Sequence, residues 1–172
     1  MKLIRLLLIL PAIVSLSCGN EKSDEDFQSY LQIRLKDAPA AVDEVWIDLQ
    51  QVRVHTNIGG WQDLTTNAGM YDLLTLQSNA DTVIAATQLI PAGRLSQVRF
   101  VLGENNALVI DSVRYPLAIS SQDEAGLILN VHQELIQNNQ YTLVIDFDAA
   151  ASIVDQGNGT YRLKPVLTAA FQ

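Results

Sequence analysis

The sequence predicts an all-β protein: one antiparallel β-sandwich, immunoglobulin-like or prealbumin-like, with at most short helical turns. Three observations carry that prediction. From Tyr30 onward the apolar residues recur with a period of two, as a half-buried strand requires, rather than 3.6. Turn-forming Gly, Pro, Asn and Asp residues interrupt the chain roughly every 8–15 residues, the spacing of a sandwich. No amphipathic run is long enough to be the crossover helix of a parallel sheet.

The elements follow in order. Leu31, Ile33 and Leu35 alternate with Gln32, Arg34 and Lys36, and Pro39 ends that strand. Val45, Ile47 and Leu49 alternate with Trp46, Asp48 and Gln50, after which the apolar parity moves to Val52 and Val54. One extra residue swaps the faces of a strand, so the switch predicts a β-bulge near Gln50 and Gln51. Asn-Ile-Gly-Gly at 57–60 turns the chain toward Trp61 and Leu64. Residues 72–76 read as a short strand, 81–90 as a strand or a helical turn, and 91–93 as a turn. Val98, Phe100 and Leu102 mark the next strand. Gly-Glu-Asn-Asn at 103–106 reads as a hairpin loop leading into Leu108 and Ile110. Residues 113–119 and 126–131 are further strands. Tyr141, Leu143, Ile145 and Phe147 share one face of the most regular strand. Residues 149–154 fit one helical turn with Asp148 as its N-cap. Asn158-Gly159 is hairpin chemistry. Tyr161, Leu163, Leu167, Ala169 and Phe171 line one face of a last strand, in which Pro165 implies an edge or a bulge.

The N-terminus carries an address. Lys2 and Arg5 precede an apolar stretch from Leu3 to Val14, and small Ser15 and Ser17 lead into Cys18, the one cysteine of the chain. This is the layout of a secretory signal, and the apolar stretch falls short of the roughly 20 residues of a membrane span. A lone cysteine at that point resembles a bacterial lipobox, although the third residue before the cysteine, where leucine is usual, is Ser15, and the leucine stands at position 16 instead. Residues 1–17 are therefore read as a lipoprotein signal peptide and Cys18 as the acylated residue, with palmitate among its lipids. Residues 18–29 are polar and acidic and read as a flexible tether, and residues 30–172 as the single sandwich domain. The Lys-Ser-Asp-Glu-Asp stretch at 22–26 resembles the acidic export signals of some surface lipoproteins. The expected location is the bacterial outer membrane, lipid-anchored and displayed at the surface; the alternative is its periplasmic leaflet.

Composition removes several classes of function. Of the 172 residues, 48% are hydrophobic and 17% charged, which suits a packed domain rather than a disordered chain. Acidic residues outnumber basic ones 19 to 11, so no large basic surface for nucleic acid can be assembled. One cysteine precludes an intrachain disulfide framework and a Cys-rich zinc site.

Several phrases, in order, carry a family resemblance. They are Leu-Lys-Asp-Ala-Pro at 35–39, Val-Trp-Ile at 45–47 with Val-Arg-Val-His at 52–55, Trp61, and Tyr-Asp-Leu-Leu at 71–74. Leu-Ile-Pro-Ala-Gly at 89–93 with Gln-Val-Arg at 97–99, Asp-Phe-Asp at 146–148, and Gly-Asn-Gly-Thr-Tyr at 157–161 with Lys-Pro-Val-Leu at 164–167 follow. Over about residues 30–171 the chain resembles the bacterial domain of unknown function 4382. The resemblance implies a secreted or lipid-anchored protein. It brings no catalytic residues with it.

Candidate chemistry is sparse. His55 and His132 are the two histidines, without the paired spacing of a metal or protease motif, and both read as solvated or hydrogen-bonded. No Gly-x-Ser-x-Gly, phosphate loop or dinucleotide fingerprint occurs. Asp146 and Asp148 leave the same face of their strand about 7 Å apart. They read either as a calcium site completed by neighbouring oxygens, or as structural groups, with Asp148 capping the next turn. Trp46 lies opposite Val45, Ile47 and Leu49, beside Glu44 and Asp48. An indole placed there stacks on a sugar or anchors a protein partner if exposed, and otherwise packs under a loop. Trp61, after two glycines, is expected to plug one end of the sandwich, with ligand binding as its other reading.

The expected function is a non-enzymatic binding or assembly module of the cell envelope, anchored in the membrane through Cys18, with a protein or glycan partner, no nucleic acid and no obligate cofactor. The alternatives are a glycan-binding surface lipoprotein and, behind it, an extracytoplasmic hydrolase. The hydrolase requires Asp146, Asp148, Glu44 or a histidine to converge in one pocket.

Overall fold

The computed structural model describes residues 27–38, 40–77, 80–120 and 126–172. The signal peptide, Cys18 and the tether as far as residue 26 lie outside them. The described residues form two packed β-sheets with one 3-10 turn and one helical turn. The domain starts earlier than expected: β1 runs Gln28–Asp37, and Ser29, placed in the tether above, is fully buried.

The small sheet has the order β13-β10-β1-β5, with β5 at Thr82–Pro91, β10 at Gln140–Phe147 and β13 at Leu167–Phe171. The segment at 81–90 thus resolves to a strand. The large sheet is built on β2, Glu44–Thr56, whose burial alternates on odd residues to Leu49 and on even residues from Val52. Gln50 is extruded between them, and the register against β6, Gly93–Leu102, shifts between Leu49 and Gln51. The predicted bulge keeps Val45, Ile47, Leu49, Val52 and Val54 all on the core face.

Registers show how β2 is flanked. Along one edge run β3, Gly60–Asp63, and β4, Gly69–Asp72, both antiparallel. Along the other run β6 and then β7, Ala107–Ile110. Residues 103–106 are therefore not a hairpin loop. They are a break between two collinear strands on the same edge of β2, because Asp48 supplies the bonds that hold the break in line. Its carbonyl accepts Gly103 N at 2.7 Å, and its backbone N–H donates to Asn106 Oδ1 at 2.9 Å. Beyond β6 lies β9, Leu127–Leu135. Beyond β7 lie β8, Val113–Ile119, then β12, Thr160–Leu163, and β11, Ile153–Gly157.

Two pairings depart from the antiparallel expectation. β1 and β10 are parallel, as are β8 and β12. Parallel neighbours need a long connection, and here the strands between them in sequence, which visit both sheets, provide it. Residues 72–76 also differ from the expected strand: Asp72 ends β4 and caps a 3-10 turn at Leu73–Leu76, its side chain accepting Leu74 N at 3.2 Å. The last stretch of alternating apolar residues splits between sheets, Leu163 in β12 and Leu167 in β13, with Pro165 in the crossing. The Asn158-Gly159 hairpin forms between β11 and β12, both residues at positive φ (57° and 72°), as the favoured two-residue turn requires.

The core lies between the sheets. Leu31, Ile33, Leu35, Leu143, Ile145 and Phe147 from one face Val45, Ile47, Leu49, Val98, Phe100 and Leu108 from the other. A void of about 10 Å³ there is lined by apolar residues.

One side of the sandwich is laced shut. Thr66 bridges Ala85, and Asn67 N donates to Ile84 O at 2.8 Å, joining the connection between β3 and β4 to β5. On the opposite side β9 and β13 lie beside each other. Each pairs on one side alone, and among the described residues no ladder joins them.

Candidate functional site

The outer face of the large sheet gathers aromatic, charged and polar side chains from four strands. Residues directly opposite in a ladder share a face, so the registers lay out two rows across β3, β2, β6 and β9. One row is Trp61, His55, Gln97 and Asn130; the next is Asp63, Arg53, Arg99 and Ile128. Their neighbours along the strands, Val54, Val98 and Phe100, are buried, which fixes this as the outward face.

Trp61 is half-buried here and does not plug an end of the sandwich, because β3 returns directly along β2 and sets it opposite His55. The His55 ring meets it edge-on at 5.3 Å. The Arg99 guanidinium lies over the indole, 4.5 Å from the ring centroid, and that of Arg53 lies at 5.9 Å. Arg53 also pairs with Asp63. Ser96 Oγ sits 2.8 Å from His55 Nδ1, and Gln97 Nε2 donates to Asn130 Oδ1 at 2.9 Å. His132, exposed on β9, meets Arg94 at 3.4 Å.

Trp46 sits toward the other end of β2, half-buried between Asp72 of β4 and Ala107 of β7. Its Nε1 donates to Glu44 Oε2 at 2.6 Å. The indole is therefore held by a carboxylate on its own strand. Two clefts, of about 330 and 350 Å³, open beside residues 103–106, one toward Leu117 and Ile119, the other toward Arg114 and Pro116.

Asp146 stands on β10 in the small sheet, and Asp148 just past the end of that strand. Asp146 Oδ2 pairs with Lys36 Nζ at 2.8 Å, across the parallel β1–β10 ladder, while its Oδ1 is buried and takes no hydrogen bond among the described residues. Asp148 caps α1, Ala149–Ser152, by accepting Ala151 N at 2.9 Å. Among the described residues no three His, Cys, Asp or Glu side chains gather as a metal cluster. Beside them Asp37 is 6% exposed and accepts Ala149 N at 2.9 Å. Burial pushes its carboxyl above the ordinary range and the Asp146 charge adds to that, against the lowering by its hydrogen bonds from Ala149, Gln77 and Ala38.

The carboxylates and imidazoles considered for acid–base work are dispersed. Glu44 and His55 occupy opposite ends of β2, about 35 Å apart along an extended strand. Asp146 belongs to the other sheet, and Asp148 follows its strand β10. The side chains that do come together, Arg53 and Arg99 with Trp61, include two that sequence reading passed over. Arg99 stands between buried Val98 and Phe100, so its outward direction was readable. That it meets Trp61 depends on β3 and β6 flanking the same strand, which periodicity does not express.

This arrangement defines a two-sheet, all-β domain bearing an aromatic–guanidinium cluster on the outer face of its larger sheet. The chain belongs to the family described as "Domain of unknown function (DUF4382)", which matches residues 28–165, from the start of β1 to the crossing before β13. No curated protein and no solved structure matches the chain.

Proposed function

We propose that this chain is a cell-envelope lipoprotein, anchored through Cys18 in the outer membrane and displayed at the surface, whose sandwich is a non-enzymatic binding or assembly module. The module engages an extended segment of a protein partner, which adds a strand at the open side of the sandwich. The observation that carries this reading is the pair of adjacent free edges, β9 and β13. Neither strand contains Lys, Arg or Pro, the residues that ordinarily block an edge. A bulge at residues 131–132 bends β9 and leaves 127–130 as its straight stretch, with Ile128 48% exposed. On the opposite side the connection between β3 and β4 is bonded to β5.

Photo-crosslinkable residues at Ile128 and Thr168 of the full chain in cells test this, with Met70 on the laced side as control. A discrete protein adduct from the first two positions and none from Met70 is the expected result. Adducts at none of them, or equally at Met70, overturn it. Palmitate labelling of the wild type and of Cys18→Ser tests the anchor, and protease treatment of intact cells separates the surface from the periplasmic leaflet.

A second reading, a glycan-binding lipoprotein, is favoured by the half-exposed Trp61 beside hydroxyl-binding amides at Gln97 and Asn130.

A further inference from the structure

We propose that Arg53 and Arg99, held beside Trp61, form a binding site for the oxyanion of an acidic saccharide, a carboxylated or sulfated sugar; this rests on the second reading above and names its ligand class. Arg53 and Arg99 stand directly opposite each other on β2 and β6. Like charges in that position repel and cost stability, so packing alone gives no reason for the pair. Asp63 compensates Arg53. Among the described residues no carboxylate pairs with Arg99, and its Nε is buried without a hydrogen-bond partner. A buried donor left unmade is costly.

Arg99 is nonetheless held in place. Its guanidinium lies on Trp61 at 4.5 Å. On its other flank Gly126, at φ 107°, lets the backbone run so close that a Cβ there would stand 2.7 Å from Arg99 Cγ. A guanidinium fixed by an indole and a glycine has little rotamer freedom left to lose on binding. It presents a planar fork suited to a carboxylate or sulfate. Among the described residues the local charge is also reversed: Arg53 and Arg99 face one carboxylate, Asp63, on a chain with 19 acidic and 11 basic residues. The neighbouring row supplies what a sugar needs besides its anion, an aromatic edge at Trp61 and amides at Gln97 and Asn130.

The test uses the full lipidated chain in detergent micelles with Trp46→Phe, so that fluorescence reports Trp61. An oligogalacturonide, its methyl ester and sodium sulfate are titrated in turn. Saturable quenching by the oligogalacturonide is expected, roughly tenfold weaker with the methyl ester and roughly tenfold weaker in Arg99→Met, the loss of one charge-assisted contact. Arg53→Gln is measured alongside in case Arg99→Met does not fold, and a weakening there supports the same site. Equal quenching by acid and ester overturns the acidic ligand and leaves glycan binding standing. No quenching by either saccharide overturns both. Sulfate that displaces the oligosaccharide at matching concentration overturns the saccharide and leaves a bare anion site.

Discussion

Asn106 completes the ladder of Asp48 with its side chain instead of its backbone. Its Oδ1 accepts the Asp48 N–H at 2.9 Å, and its Nδ2 donates to Gly103 O at 2.7 Å, so one amide spans the gap between β6 and β7. Asn105 Nδ2 then donates to Asp48 Oδ2 at 2.8 Å, which satisfies a carboxylate that is 5% exposed. Asn106 itself is 2% exposed. Asn106→Ala leaves the buried Asp48 N–H without an acceptor and is expected to cost about 1–3 kcal/mol in urea unfolding. Asn106→Asp retains the acceptor, loses the donor and sets a second carboxylate beside Asp48, so it should be the more damaging of the two above neutral pH. Equal stability of all three proteins would remove the splice from the account of this fold.

The bulge in β2 makes a prediction about deletion rather than substitution. Removing Gln50 turns the apolar residues of β2 into one unbroken alternation, with Leu49 and Val52 two positions apart and the β6 register intact on either side. That variant is expected to fold, with a lower urea midpoint for loss of the Gln50–Asp48 hydrogen bond. Removing Arg53 instead inverts Val54 and Thr56, both fully buried, toward water. Circular dichroism of the two deletions separates them: β-structure in the first, none that is cooperative in the second.

That bulge was legible because parity is a local property: Leu49, Gln50, Gln51 and Val52 state it within four residues. The same holds for the Asp148 cap and the Asn158-Gly159 turn. What was not legible depends on partners distant in sequence. Turn residues at 103–106 announce an interruption, and nothing nearby says that Asp48 will hold the chain in line across it. Leu163 and Leu167 share a parity and go to different sheets. Strand direction in the β1–β10 pair leaves no trace in either strand's alternation. Trp61 and Asp63 meet Arg99 and Arg53 only because β3 and β6 flank β2, and so the cluster emerged from the registers.

Ser152 staples two of the places where the chain changes sheets. It is fully buried. Its Oγ donates to Asp148 O at 2.5 Å and accepts Val166 N at 2.8 Å, while its carbonyl accepts Lys164 N at 2.8 Å. The first crossing runs from β10 to β11 through α1, the second from β12 to β13. Ser152→Ala removes an acceptor from a partly buried Val166 N–H and should destabilise by about 1–3 kcal/mol. Ser152→Thr keeps the hydroxyl but adds a methyl where there is no exposed surface, so partial recovery at most is expected. Hydrogen exchange at Val166 is the local readout, accelerated in the Ala variant relative to the ladder amides of β1.

Asp37 and Asp81 should give stability profiles of opposite sign in acid. Burial among β1, α1 and β10 raises the Asp37 carboxyl, so the folded state holds its proton more tightly than the unfolded chain, whose ordinary value is 3.8. Below that value the contribution of Asp37 to stability is fully present. It falls as pH rises from the unfolded value through the raised folded one, because the native protein then carries more protons than the unfolded. Asp81 is the reverse. The Arg34 hydrogen bond holds its carboxyl below the ordinary range, and the Arg34 charge adds to this. Its contribution is present above the unfolded value and is lost as pH falls through the lowered one. Urea midpoints of the wild type, Asp37→Asn and Asp81→Asn between pH 3 and 7 read both, in the span set by the ordinary carboxylate value near 4. Asp37→Asn should gain on the wild type as pH rises from about 4, since the amide still offers Ala149 N an oxygen and carries no charge toward Asp146. Asp81→Asn should lose ground on the wild type as pH rises toward that value from below, and hold level above it. A wild type that gains on Asp37→Asn with rising pH would mean that the hydrogen bonds from Ala149, Gln77 and Ala38 outweigh burial at Asp37, and would reverse the sign assigned to it here.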